Sequence, residues 1–167
     1  MSEANLPPEL IALAERVIAE NRAAGRKIAV AESCTGGLVS AALTEIAGSS
    51  DVFDRGFITY SNEAKQEALK VPLDLIETFG AVSVAVAWSM ARGALENSRA
   101  DVTVAITGIA GPGGGSEQKP VGTVVFAKAE RNREQDPANA EQRLFPDLSR
   151  GEVRFQATLC ALELLLP

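Results

Sequence analysis

Three polar clusters carry groups that could do chemistry, and each follows a stretch predicted to be a β-strand. The first is the run from Ser33 to Gly37, in which a hydroxyl and a thiol precede two glycines. The second runs from Tyr60 to Lys65, and the third, from Thr107 to Gly115, contains five glycines. Because ligands of open α/β sheets bind beyond the carboxyl ends of the strands, we expect the three clusters to meet at one site.

The absence of histidine limits the chemistry that these clusters can do. It excludes Ser-His-Asp and Cys-His catalysis, histidine-ligated zinc and imidazole general bases. Two cysteines, Cys34 and Cys160, are too few for a zinc site made of thiolates. Proton transfer must therefore use lysine, a carboxylate, tyrosine or water. Cys160 falls in an apolar helical pattern and is predicted to be a core residue.

Without histidine, a Ser–Lys pair is the simplest way to activate Ser33. Lys65 would act as the base, with a pKa lowered by desolvation or by a neighbouring cation. Cys34 is a rival nucleophile, because a thiol ionises more readily than a hydroxyl. The alternative for residues 33–37 is an ordinary loop in which serine or threonine caps a helix, and for Lys65 it is a solvated side chain. Tyr60 is either a core residue or a hydroxyl relay at the end of its strand.

The glycine-rich loop does not match the common nucleotide-binding fingerprints. It lacks the Gly-Lys-Ser/Thr ending of a Walker A sequence, and it opens no helix as a dinucleotide fingerprint does. Its glycines would still let the backbone approach a ligand closely. A flexible connection between strands is the equally weighted alternative.

The elements that must position these clusters alternate between strand and helix. Hydrophobic patterning predicts strands at 28–31, 52–60, 102–106 and 121–129, with an edge strand at 142–145. Helices are predicted to begin at Pro8, near Gly36, and at residues 61, 72, 83 and 149, the last with capping-box spacing. Residues 131–140 are polar and are predicted to form a surface excursion. This alternation predicts one α/β domain over residues 1–167, built as a three-layer α/β/α sandwich.

Composition narrows the classes of partner. Of the residues, 46% are hydrophobic, and the net charge is −6. An acidic balance disfavours binding to nucleic acid but leaves a small anionic ligand open. No apolar run approaches the roughly 20 residues that span a membrane, and the N-terminus lacks the pattern of a signal peptide. We therefore expect a cytoplasmic protein with no membrane or nucleic-acid partner.

Five motifs in order, and at family spacing, resemble those of the CinA C-terminal domain family. They are Ala31–Gly37 (AESCTGG), Tyr60–Lys65 (YSNEAK), Gly80–Ser83 (GAVS), Thr107–Gly114 (TGIAGPGG) and Lys119–Thr123 (KPVGT). The resemblance extends from about residue 8 to the C-terminus. It implies a mixed, mostly parallel five-stranded sheet between helical layers, in which the fourth strand is antiparallel.

The resemblance also implies an activity, the hydrolysis of nicotinamide mononucleotide to nicotinate mononucleotide and ammonia. No metal or cofactor is expected for this reaction, and a homo-oligomer is compatible with it. Ser33, Lys65 and Tyr60 are the implied catalytic residues, with the backbone amides of Thr35 and Gly36 holding the oxyanion. The remaining candidates for oxyanion and substrate binding are Cys34, Gly37, Ser61, Asn62, Thr107, Gly108, Gly111, Gly113 and Arg150. A nucleotide-binding or partner-docking module without catalysis is the alternative.

Overall fold

The computed structural model describes residues 5–133 and 139–167, and in it a five-stranded sheet lies between two helical layers. The strands are β1 (Ile28–Glu32), β2 (Phe53–Ile58), β3 (Val102–Gly108), β4 (Thr123–Glu130) and β5 (Ala140–Leu144). Their order across the sheet is β2-β1-β3-β4-β5. Strands β1, β2 and β3 are parallel, whereas β4 is antiparallel to both of its neighbours. The predicted fold class and its single antiparallel strand are confirmed.

In the described part of the chain, six α-helices cover the two faces of the sheet. They are α1 (Pro8–Ala23), α2 (Leu38–Thr44), α3 (Asn62–Leu69), α4 (Leu73–Phe79), α5 (Val84–Glu96) and α6 (Arg150–Leu164). Helices α1, α2 and α6 share one buried apolar cluster with the sheet, and α3, α4 and α5 share the other. The core is thus divided by the sheet, as the strand–helix alternation predicts.

Strands β1 and β3 lie at the centre of the sheet and are buried on both faces. Every residue of β1 is buried, and so are the first six of the seven residues of β3. Strand β2 lies at an edge, with half-buried and exposed residues along its length. The predicted second strand was too long, because β2 ends at Ile58 and the Tyr60 side chain projects into solvent with 63% of its area exposed.

Local capping fixes where several helices begin. Ser61, Ser83 and Ser149 accept backbone N–H groups at the starts of α3, α5 and α6, and Ser149 forms the predicted capping box with Glu152. Residues 134–138 of the predicted polar excursion lie outside the described residues, and β5 begins two residues earlier than predicted. Within residues 5–133 and 139–167, none of the helices combines the length and the apolar character that crossing a membrane requires.

Candidate active site

All three polar clusters contribute to one cavity of about 260 Å³ at the carboxyl ends of β1 and β3. Its walls come from the end of β1, the residues after β2, the turn before α5 and the loop after β3. The predicted site residues that line it are Ser33, Cys34, Tyr60, Asn62, Lys65, Thr107, Gly108, Gly111, Gly113 and Arg150. Convergence follows from the parallel pairing of β1 with both β2 and β3, which brings their carboxyl ends to the same edge.

Ser33 and Lys65 form a buried pair on the wall of this cavity. The Lys65 Nζ lies 3.1 Å from the Ser33 Oγ, within hydrogen-bond reach. The same Nζ donates to the carbonyl oxygens of Thr59 at 3.0 Å and Tyr60 at 3.2 Å. Ser33 directly follows β1 and Lys65 is in the first turns of α3, so the sheet edge and one helix hold the two groups together.

Burial lowers the pKa of Lys65 from its usual value of 10.5, because the charged ammonium loses its hydration. Only 1% of the residue is exposed. As an ammonium, Nζ carries three protons for three acceptors; as a neutral amine, it keeps two protons for the two carbonyls and turns a lone pair toward Ser33. The contacts of Nζ therefore suit both the neutral amine and the ammonium, as a general base requires.

Cys34 lies beside the pair but is a poor nucleophile. Only 6% of Cys34 is exposed, and burial raises the pKa of its thiol from 9.0 to about 12. The thiol therefore stays protonated near neutral pH, and reactivity of cysteine requires the thiolate. Between the two rival nucleophiles, this environment favours Ser33.

The backbone amides at the start of α2 already have acceptors within the protein. The Gly36 amide donates to the Ser33 carbonyl, and the Gly37 amide donates to the Glu32 carboxylate. Glu32 also accepts the amides of Val39 and Ser40, the second and third residues of α2, and the Leu38 amide donates to the Thr35 carbonyl. The Gly36 and Gly37 amides are therefore both engaged within the protein, and we do not propose them as donors to the oxyanion.

Two further predicted site residues have local structural tasks and do not line the cavity. The Thr35 hydroxyl donates to Glu32 at 2.7 Å, and the residue is fully buried. Ser61 caps α3 by accepting the Ala64 amide at 3.0 Å. The Thr35 backbone amide remains a candidate donor to the oxyanion, because it donates to no other residue in the described part of the chain. The same holds for the Cys34 amide.

Tyr60 and Arg150 meet at the mouth of the cavity. One Nη of Arg150 donates to the Tyr60 hydroxyl at 3.2 Å, and the other donates to the Gly111 carbonyl at 2.7 Å. Tyr60 is therefore not a core residue. Arg150 is exposed at the start of α6, so three of its five N–H groups are directed to no residue of the described chain.

The glycine-rich loop forms the opposite wall and begins against Cys34, the neighbour of the proposed nucleophile. A Cβ on Gly108 would lie 3.1 Å from the Cys34 Sγ and 2.9 Å from a methyl of Val124, so this position accommodates only hydrogen without adjustment. Thr107 ties the end of β3 to the turn before α5, because its hydroxyl donates to the Ala81 carbonyl at 2.9 Å. The loop is thus tightly packed at the end that joins β3.

Sequence reasoning gave no site role to four residues that shape the site, although three of them stand in the motifs AESCTGG and GAVS. Ala81 and Val82 line the cavity, and Glu32 and Arg154 contact the backbone of residues 33–37. Glu32 carried a usable signal: a carboxylate at the end of an apolar buried strand needs several donors close by. Arg154 carried none, because its partners are backbone carbonyls on a distant segment.

Comparison with known proteins gives consistent matches along the chain. The family model of the CinA C-terminal domain matches residues 10–167. A protein of Escherichia coli strain K12, named nicotinamide-nucleotide amidohydrolase PncC, is 49% identical over 157 residues, 94% of this chain and 93% of its own length. A CinA-like protein of Syntrophobacter fumaroxidans is 58% identical over 114 residues, but the match covers only 27% of that longer relative.

The fold of the chain is shared with solved structures. The competence/damage inducible protein CihA of Agrobacterium tumefaciens superposes with a TM-score of 0.89 at 48% sequence identity. That match covers 99% of this chain and 97% of the other. Sequence and structure therefore place the chain beside the same group of proteins.

Proposed function

This chain belongs to the CinA C-terminal domain family, and on that basis we propose that it is a nicotinamide-nucleotide amidohydrolase with a serine nucleophile and a lysine base. The observation that carries the proposal is the buried contact of 3.1 Å between the Lys65 Nζ and the Ser33 Oγ on the cavity wall. A hydroxyl beside an amine of lowered pKa is an activated nucleophile.

The reaction proceeds in two halves. In the first, the Ser33 Oγ bonds to the carboxamide carbon while Lys65 Nζ takes the hydroxyl proton. The C–N bond then breaks, and the proton passes from Lys65 to the leaving nitrogen, which departs as ammonia. In the second half, water adds to the acyl carbon as Lys65 takes a proton from it. The bond from carbon to Ser33 Oγ then breaks, and the serine recovers that proton from Lys65. The acid form of the nucleotide leaves.

The amides of Cys34 and Thr35 are the proposed donors to the oxyanion. They belong to the two residues that follow the nucleophile in the chain, and neither amide donates to another residue in the described part of the chain. The amide of the residue after a nucleophilic serine commonly has this task. The Gly36 amide, used by Ser33, drops out of the proposal.

Arg150 is the proposed ligand of the 5′-phosphate. Its guanidinium is at the cavity mouth and keeps free N–H groups beside the two that bind Gly111 and Tyr60. Arginine forms short, charge-assisted hydrogen bonds with phosphate. Asn62, Thr107, Gly111 and Gly113 would contact the rest of the nucleotide. The hydroxyl of Tyr60, which Arg150 holds at the cavity mouth, is the proposed relay for protons that pass to and from solvent.

Ammonia release from nicotinamide mononucleotide tests the proposal directly. Purified protein should produce ammonia and nicotinate mononucleotide in equal amounts, and Ser33→Ala should produce neither while keeping its fold. Nicotinamide and its riboside should be much poorer substrates, because they lack the phosphate that orients the amide. A wild-type protein that binds the nucleotide without hydrolysing it would instead support the alternative, a binding module without catalysis.

A further inference from the structure

The segment from Ser33 to Gly37, the nucleophile turn, is held by charged residues that the mechanism above does not use. Inside the turn, the Gly36 amide donates to the Ser33 carbonyl at 3.0 Å, and the Ser33 amide donates to the Ile106 carbonyl of β3 at 2.9 Å. These two backbone bonds fix the beginning of the turn. They leave the peptide unit between Cys34 and Thr35 to be oriented by other groups.

Glu32 holds the turn from the side of α2. Its carboxylate is completely buried and accepts five hydrogen bonds. One oxygen accepts the Thr35 hydroxyl at 2.7 Å, the Gly37 amide at 3.2 Å and the Val39 amide at 2.9 Å. The other accepts both the amide and the hydroxyl of Ser40, at 3.0 and 2.7 Å. The carboxylate thus ties the end of the turn to the first turn of α2.

Arg154 holds the turn from the side of α6. Its Nε donates to the Cys34 carbonyl at 3.0 Å, and one Nη donates to the Thr35 carbonyl at 3.3 Å. In a trans peptide, the C=O and N–H groups point in opposite directions. By fixing the Cys34 carbonyl toward α6, the guanidinium turns the Thr35 amide away from that helix.

We infer that Glu32 and Arg154 are positioning residues that clamp the nucleophile turn from two sides and so keep the Thr35 amide oriented for the oxyanion. The inference rests on the proposed amidohydrolase function. A carboxylate suits the α2 side, where every partner is a donor, and a guanidinium suits the α6 side, where both partners are carbonyl oxygens. Neither side chain lines the cavity, so neither is a catalytic residue.

The clamp predicts that loss of Arg154 lowers kcat and leaves substrate binding intact. Oxyanion donors act on the charge that develops in the transition state, so their misplacement affects the chemical step rather than the ground state. A misplacement of about 1 Å in a catalytic group can cost roughly 100-fold in rate. We therefore expect Arg154→Ala to lower kcat by about 10- to 100-fold, with KM and the dissociation constant of nicotinate mononucleotide changed by less than about twofold.

The matched control is Arg131→Ala. Arg131 also uses its guanidinium to hold backbone carbonyls, those of Ala100, Leu95 and Ser98, but it does so at the opposite end of β3 from the cavity. Both substitutions remove similar contacts and should lower thermal stability. Only the Arg154 variant should lose kcat, and added methylguanidinium ion should restore part of that loss. Glu32→Gln should also lower kcat, provided that it folds.

The outcomes separate the inference from the function on which it rests. A wild-type protein without amidase activity would reject both. An active wild type together with full kcat in Arg154→Ala would reject the clamp alone. So would a variant whose KM rises while kcat is kept, because Arg154 would then bind substrate instead of orienting the turn. Loss of kcat at constant KM, rescued by methylguanidinium, supports the clamp.

Discussion

Lys65→Met tests the base assigned to this site. Methionine fills a similar volume but has no proton to give or lone pair basic enough to take one. In the native protein the Nζ is 3.1 Å from Ser33 Oγ, inside the reach that a general base needs. Such a base contributes about 10²- to 10⁴-fold in rate, which corresponds to about 2.7–5.4 kcal/mol of activation free energy. We expect kcat to fall by at least about 100-fold, while the nucleotide still binds.

The pH dependence of the wild-type protein gives an independent check. The neutral amine is the active form, and burial lowers the pKa of Lys65 below 10.5. The rate should therefore rise with pH through one ionisation that lies below that value. In the same window the unfolded chain binds more protons than the folded one, so the contribution of Lys65 to the free energy of unfolding also rises with pH. Lys65→Met should lack this slope.

Steady-state kinetics and chemical unfolding at about pH 6 to 10, below the reference lysine pKa of about 10.4, measure both effects. Lys128→Met is the matched control, because burial also lowers the pKa of Lys128, yet its amine donates to the Leu166 carbonyl and does not line the cavity. Lys65→Arg should be nearly inactive, since a guanidinium does not release its proton. Substantial turnover by the arginine variant would refute the reasoning, because Lys65 would then act as a fixed charge.

Three further substitutions, with Gly113→Ala as a control, probe other residues that line the cavity. Cys34→Ser should keep most of the activity, because the thiol pKa of about 12 excludes a thiolate nucleophile; an inactive variant that folds normally would contradict this. Arg150→Met should raise KM for nicotinamide mononucleotide by about 10- to 150-fold, the equivalent of 1.5–3 kcal/mol for a charged hydrogen bond, and leave KM for the riboside unchanged. Gly108→Ala should lower the free energy of unfolding by about 1–3 kcal/mol through overpacking against Val124, whereas Gly113→Ala, with no atom within 4 Å of its Cβ, should not; equal urea midpoints would reject this.

The sheet and its helices could be predicted because local patterns dominate there. The apolar runs of β1 and β3 indicate buried strands, and Ser149 with Glu152 marks the start of α6. Strand ends were less predictable, since β2 lies at an edge, where apolar residues such as Ile58 are exposed. Tyr60 was assigned to that strand for its β propensity, but no neighbouring strand covers it.

The candidate site could be predicted as three clusters but not as a geometry. Motif spacing identifies Ser33 and Lys65, yet only the pairing of β1 and β2 brings the amine against the hydroxyl. The use of backbone amides could not be read from the sequence at all. Gly36 looks like an oxyanion donor because it follows the nucleophile, and only the folded turn directs its N–H to Ser33. Arg154 escapes notice for the same reason, because its partners are carbonyls that every residue has.

The measurement that tests the central claim most directly is the mass of the covalent intermediate. Protein mixed with nicotinamide mononucleotide, quenched with acid during turnover and digested, should yield one modified peptide. The mass added should equal that of the substrate minus ammonia, and fragmentation should place it on Ser33, with no adduct in Ser33→Ala. An adduct on Cys34, or hydrolysis by Ser33→Ala at the wild-type rate, would contradict a serine nucleophile activated by Lys65.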